Sequence, residues 1–173
     1  MIYYEDGRVL IRSMREEDAE AIHRANLAQG WHSELSGYKQ YFSEQKNKTR
    51  FLFVAEDEGQ FAGYAALRAQ ADAGPFAGKG IPEISDFNVY PPYRRKGIGG
   101  KILWAAEKKA AELGRTVTLG VGLHSGYGSA QRMYIKRGYL PDGSGVWYQG
   151  RRLEQYAECR NDDDLVLYFS KNI

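Results

Sequence analysis

Phe87-Asn88-Val89-Tyr90-Pro91-Pro92-Tyr93-Arg94-Arg95-Lys96-Gly97-Ile98-Gly99-Gly100-Lys101 is the stretch on which the reading of this chain turns. Its first residues continue an extended run, Glu83–Tyr90, that reads as a strand and is stopped by Pro91-Pro92. Its last residues open the best helical pattern in the chain, Gly97–Leu113, where Ile98, Ile102, Ala105, Ala106, Ala110 and Leu113 recur at helical spacing before Gly114. Thr116–Val121 then alternates, with Val117, Leu119 and Val121 on one face. Strand, glycine-rich turn, helix and strand make a crossover, for which a right-handed course is expected.

A helix begins with four backbone N–H groups that have no intrahelical acceptor, and the helix dipole adds positive charge there. Such an end binds phosphate. Glycines at 97, 99 and 100 remove side-chain bulk from the approach, while Arg94, Arg95, Lys96 and Lys101 add cationic charge. The same residues also fit a plain helix start bearing an exposed basic cluster. Two familiar phosphate motifs fail on the letters. The dinucleotide pattern G-x-G-x-x-G needs glycine where Ile102 stands, and the P-loop needs glycine at Arg95 and Ser or Thr at Ile102.

Outward from this unit, Val9–Met14 reads as a strand. Ser13 and Glu16 have the spacing of a capping box for a helix from Arg15 to Ala28. A short helix is expected over Tyr38–Asn47. Phe51–Ala55 and Phe61–Leu67 form a hairpin across Glu56–Gly59, and the Gly/Ala/Pro-rich stretch Ala71–Pro82 is a loop. Ser129–Arg137 is a short helix ending at Gly138, Gly145–Tyr148 and Leu165–Phe169 are late strands, and the polar Gln149–Asp164 is a loop or ragged hairpin arm.

With 173 residues, 43% hydrophobic and 27% charged, the chain suits one domain over residues 1–173. A net charge of +2 argues against nucleic acid or a membrane surface as the main partner. The lone Cys159 excludes an intrachain disulfide, and His23, His32 and His124 lack metal-ligand spacing, so no metal is expected. Met1–Asp6 does not read as a signal peptide, and no apolar run approaches the ~20 residues of a membrane span. A cytoplasmic protein is the default.

Arg94-Arg95-Lys96-Gly97-Ile98-Gly99 matches Arg/Gln-x-x-Gly-x-Gly/Ala, and at this point the chain resembles the GNAT superfamily of N-acetyltransferases. The strand ending Val89-Tyr90-Pro91 looks like that family's fourth strand. Ala130-Gln131-Arg132-Met133-Tyr134-Ile135-Lys136-Arg137-Gly138-Tyr139 is similar to its later A-x-x-hydrophobic-Tyr-x-x-x-Gly-Phe/Tyr motif. The resemblance implies a mixed α/β fold: a mostly antiparallel central sheet, flanked by helices, with two splayed parallel strands at 83–90 and 116–122. It further implies acetyl-CoA between those strands and no metal. The pantetheine arm would pair near Phe87, Asn88 and Val89. The pyrophosphate would take N–H groups from the Arg94–Lys101 segment, and an N–H near Val89 would stabilise the oxyanion. Where family members often carry Asn, this chain has Tyr127; with Ser129 it completes the candidate cofactor-binding set.

Acyl transfer to an amine whose free pKa is ~10.4 needs that amine neutral and a proton for the leaving thiolate. Tyr134 matches the family's tyrosine near the sulfur and is the candidate acid. For the base, Glu83 stands six residues before Val89, an offset at which some members place a glutamate. Asp86 is the alternative if a bulge interrupts the strand, and a water relay without a protein base is a third. Trp31, His32 and Tyr148 fall in segments where the family builds its acceptor pocket and read equally as core or a dimer surface, while His124, just after the 116–122 strand, reads as a base or substrate contact or as an exposed loop histidine. The acceptor would be a small-molecule or peptide amine, and a homodimer is compatible with the family. Competing readings are a non-catalytic CoA-binding or sensing module on the same fold, and a nucleic-acid binder using Arg94-Arg95-Lys96.

Overall fold

The computed structural model describes residues 1–173. Proximity of Cα atoms separates two compact units, Met1–Arg68 with Asp86–Lys109, and Ala69–Ser85 with Ala110–Ile173.

In the first unit β1 (Ile2–Glu5), β2 (Val9–Arg12), β3 (Arg50–Asp57) and β4 (Gln60–Arg68) form an antiparallel meander. The β3–β4 turn is made by Glu58 and Gly59 at φ 52° and 77°, the conformation a tight hairpin needs. Helices α1 (Asp18–Ala28) and α2 (Leu35–Lys46) cover one sheet face, where Ile22, Tyr38, Leu52, Val54, Tyr64 and Tyr90 share a buried cluster. Strand side chains alternate, so Phe51 and Phe53 fall on the other face. There Tyr3 packs 4.7 Å from Phe53, and Lys109 of α3 (Ile98–Ala111) lies over Phe51.

Helix α1 begins at Asp18, later than the Ser13/Glu16 capping box implies, and it has no side-chain cap. Ser13 Oγ instead accepts from the N-terminal ammonium at 2.8 Å. The buried Asp18 carboxylate accepts from the Arg15 N–H at 2.6 Å and pairs with Arg12, which also reaches Glu56. An ion cluster therefore fixes the start of the helix, and such a cluster leaves no hydroxyl signature in the sequence. Helix α2 starts three residues before the expected Tyr38, at Leu35.

In the second unit the start of β5 (Glu83–Val89) runs parallel to β6 (Thr116–Gly122), Glu83 beside Thr118 and Ile84 beside Leu119. α4 (Gly128–Lys136) follows β6. β7 (Leu140–Tyr148) starts earlier than Gly145, through an irregular stretch in which Gly143 and Gly145 both sit at φ 85°. The two-residue β8 (Arg151–Arg152) supplies the ragged arm after Tyr148. β9 (Leu165–Asn172) pairs antiparallel with both β6 and β7. Gly74–Phe76 forms a 3-10 turn in the 71–82 loop, and a Cβ on Gly74 would strike the Tyr168 ring. The hydrogen-bonded order of the nine strands is β1-β2-β3-β4-β5-β6-β9-β7-β8, with β5–β6 parallel. This is the mixed, mostly antiparallel α/β fold that the motifs imply.

Candidate active site

The candidate phosphate-binding elements lie together in the first unit, consecutive in the chain. β5 ends at Val89, Pro91–Tyr93 make a 3-10 turn, and Arg94 is extended at φ −68°, ψ 158°. Arg95 and Gly97 adopt φ 61° and 79°, and α3 starts at Ile98. The first intrahelical bond runs from Lys101 N–H to the Gly97 carbonyl at 3.2 Å, so the donors of Ile98 and Gly99 precede it. Buried Ile98 anchors this turn. The first turn carries no acidic side chain, although helix starts ordinarily favour one, and the positive end of the dipole is left for an anion. A Cβ built on Gly100 would meet nothing within 4 Å. No packing within the protein demands glycine there; a closely approaching ligand would.

The basic side chains differ in what they offer. Lys96 Nζ lies 3.4 Å from Asp57, and Lys101 pairs with Asp6. The hydrogen bond from Lys101 holds the Asp6 carboxyl well below the usual carboxylate range. Arg94 Nε donates to the Val89 carbonyl at 2.8 Å, which ties the turn back to the strand end. Arg95 is exposed. Backbone donors together with Arg94 and Arg95 are thus the segment's candidate anion-binding groups.

Within β5, Asp86 adopts φ 44°. Left-handed conformations are uncommon for non-glycine residues, and aspartate tolerates them better than most. The interruption that the sequence left open is therefore present. Asp86 Oδ1 accepts from Tyr64 OH at 2.9 Å and from Asn88 Nδ2 at 3.2 Å. Burial pushes the Asp86 carboxyl up; hydrogen bonds from Tyr64 and Tyr41, the Arg50 charge and Asn88 oppose the rise. Burial and the neighbouring Asp86 push the Tyr41 phenol up to about 12. Beside them Gly63 is obligatory, because a Cβ would collide with the Asn88 carbonyl oxygen. Tyr64, fully buried, was not singled out by sequence reasoning. Its signal is a phenol embedded in a run of small residues, Ala62-Gly63-Tyr64-Ala65-Ala66, since a buried Tyr hydroxyl needs a partner.

In the second unit Tyr134 is buried on α4, edge-on to Tyr139 at 5.8 Å. Burial, and secondarily Tyr127, push its phenol up, so it holds its proton at neutral pH. Glu83 is buried at the start of β5. The Tyr127 ring lies against Gly122, where a Cβ would clash, and its hydroxyl donates to Asp163 at 2.9 Å. His124 has both ring nitrogens engaged: Nδ1 accepts from Gly126 N–H at 3.1 Å, so Nε2 carries the proton it shares with Asp163 at 3.0 Å. Ser129 is exposed near the start of α4.

The acceptor-side candidates divide between the two units. Trp31 stacks on Tyr90 at 5.9 Å in the first unit, whereas the neighbouring His32 is exposed and reaches only Glu34, at 3.4 Å. Tyr148 ends β7 in the second unit, its hydroxyl 3.3 Å from Asp162. No group of three or more His, Cys, Asp or Glu is arranged to hold a metal ion, and no helix is long and apolar enough to cross a membrane.

A strand that ends in a glycine-rich turn and presents a helix start free of acidic side chains defines an α/β protein with a candidate phosphate site. Residues 12–139 match the acetyltransferase (GNAT) family, and the chain belongs to that family. It is 30% identical over 146 residues to the uncharacterized N-acetyltransferase YhfO of Bacillus subtilis (strain 168), across 80% of this chain and 94% of that protein. An acetyltransferase from Salmonella typhimurium, described as modifying the N-terminal serine of a ribosomal subunit protein, has a TM-score of 0.74 at 12% identity, covering 100% of this chain and 99% of that one. The structure of yncA from Salmonella typhimurium with its cofactor acetyl-CoA has a TM-score of 0.71 at 16% identity, covering 96% and 94%. At these identities the structural likeness speaks to the fold.

Proposed function

We propose that this chain is an acetyl-CoA-dependent N-acetyltransferase that moves an acetyl group directly to a primary amine of a small molecule or peptide. The observation that carries the reading is the Arg94–Lys101 turn, where left-handed Arg95 and Gly97, the open flank of Gly100 and an acid-free first helical turn suit a diphosphate. The residues present fit coenzyme A: the helix start and Arg94–Arg95 for the pyrophosphate, and the Phe87–Val89 backbone for the pantetheine. The reading takes residues 1–173 as one acyltransferase domain that works in the cytoplasm without a metal.

In the proposed chemistry the amine nitrogen attacks the thioester carbonyl carbon, the C–S bond breaks, and the amine loses a proton to a carboxylate. Either Glu83 or Asp86 is that carboxylate. Asp86 is favoured, because the left-handed turn of β5 sets its carboxyl against the Tyr64 and Asn88 donors, and burial raises its pKa above the usual carboxylate value. Tyr134, protonated at neutral pH, supplies the proton to the departing thiolate.

The test is thiol release from acetyl-CoA across a panel of polyamines, amino acids, aminoglycosides and peptide N-termini. We expect turnover with at least one class, and a fall of roughly 10²-fold in kcat for Tyr134→Phe, within the range of general acid catalysis. Tight CoA binding with no turnover on any amine would instead support a binding or sensing module. Unchanged turnover in Tyr134→Phe would remove the acid from the scheme.

A further inference from the structure

Asp86 accepts from Tyr64, whose buried hydroxyl lies beside a second buried hydrogen-bonded set. Tyr90 OH donates to Asn26 Oδ1 at 2.7 Å, and Asn26 Nδ2 donates to Tyr38 OH at 2.7 Å. The Tyr38 ring lies edge-on to Tyr64 at 6.1 Å, and the Tyr64 hydroxyl interacts with the polar ends of both Tyr38 and Asn26. Tyr64 OH then donates to Asp86. Asn26 is buried in α1 and Tyr38 in α2, and Tyr64 is fully buried in β4.

Hydrophobic packing does not require these polar atoms. Phenylalanine would fill the Tyr64 and Tyr38 sites equally well, and an aliphatic residue would fill that of Asn26. Each hydroxyl or amide costs free energy to bury unless it is bonded; here Tyr64 is bonded to the Asp86 carboxyl, and Tyr90, Asn26 and Tyr38 are bonded in series beside it. Bonds linked in this way polarise one another and fix a geometry.

We infer that Tyr64, packed edge-on against Tyr38 and bonded directly to Asp86, is a positioning residue that aims the Asp86 carboxyl to receive the amine proton. This rests on the reading of Asp86 as the base. The other ionisable or charged groups around Asp86 are Tyr41 of α2, Arg50 of β3 and Tyr90 just beyond β5, with Asn88 from its own strand. Arg50 is itself paired with Glu44 of α2. These groups are unchanged by a Tyr64 substitution, so a Tyr64→Phe effect reports the hydroxyl alone.

A donor to the ionised carboxylate favours the charged form, so removing the Tyr64 hydroxyl raises the pH at which Asp86 ionises, by about one to two units for a bond to a charged group. The first readout needs no acceptor: 13C titration of the Asp86 carboxyl by NMR in the wild type and in Tyr64→Phe. The expected result is a midpoint about one unit higher in the variant; an unmoved midpoint overturns the inference. The second readout is the pH profile of kcat/KM with the best amine from the panel. Its acid limb should shift upward with the midpoint, and the high-pH plateau of kcat should fall, since the ionised carboxyl is no longer aimed; an unmoved limb with a wild-type plateau counts against the inference.

Asp86→Asn separates the two levels of the argument. If it keeps the wild-type acid limb, Asp86 is not the base and the inference falls with that reading. If it abolishes the limb while Tyr64→Phe leaves the limb in place, only the positioning role is lost. Should Tyr64→Phe fail to fold, Tyr38→Phe carries the same two measurements, with a smaller upward shift expected and an unmoved midpoint and limb counting against the inference.

Discussion

Asp86 holds its carboxyl where burial disfavours the charge, and that has a consequence for stability as well as for catalysis. Its pKa is raised in the folded protein, with burial as the largest cause. Between the ordinary carboxylate value of ~3.9 and the raised one, the native state therefore binds more protons than the unfolded chain. Stability attributable to this group falls as pH rises through that window and stays low above it. Asp86→Asn removes the titration. The urea midpoint of the variant relative to wild type should therefore climb from pH 4 upward and level off above the raised pKa, while acyl transfer is lost. A constant difference across pH 4 to 8 would contradict the assignment. Asp6 behaves in the opposite sense, its carboxyl lowered chiefly by Lys101, so its contribution fades only on strong acidification. At this scale the sequence named Asp86 as a candidate. It could not name Tyr64 or Asn26, because their partners lie 22 and 64 residues away along the chain and only the folded sheet brings them together.

Helix α3 and strand β5 were the most legible elements, since apolar periodicity, paired prolines and flanking glycines all pointed to the same boundaries. Three others were harder. β1 is four residues with partly exposed side chains and no periodic pattern. β7 begins through Pro141 and Gly143, upstream of the strand expected from Gly145. The start of α1 is set by the Arg12–Asp18–Glu56 ion cluster, of which a local capping rule sees nothing. The glycines of α3 give a prediction in which folding and function part. Gly100 lies inside the helix without a positive φ, and a methyl there meets only open space. Gly100→Ala should stabilise the helix by roughly 0.5–1 kcal/mol. If the diphosphate approaches this backbone, the same change should weaken CoA binding about tenfold or more, measured by calorimetric titration. A stabilised variant with unchanged CoA affinity would place the ligand elsewhere. Gly97 is different: its φ of 79° is itself strained for any side chain, so substitution there confounds the two effects.

For the molecule as a whole the question is whether its two compact units unfold as one. β5 and α3 each contribute residues to both units, so neither unit can melt without fraying an element that the other uses. A single cooperative transition is expected. The Arg94–Lys101 turn lies in the first unit and Tyr134 and Trp147 in the second, which makes ligand linkage a test of that coupling. A ligand that binds only the native state stabilises it by about 2.7 kcal/mol at 100 times its Kd. For a chain of this length that corresponds to roughly 5–10 °C in Tm. Saturating CoA should therefore raise one common Tm by this amount, seen identically by fluorescence of a variant retaining only Trp147 and by far-UV circular dichroism. If Trp147 reports an unshifted transition while the circular dichroism splits in two, the units melt separately and one cooperative acyltransferase domain is the wrong description. If neither probe moves at any CoA concentration, the turn is only a basic helix start, and the case for acyl transfer loses its physical footing.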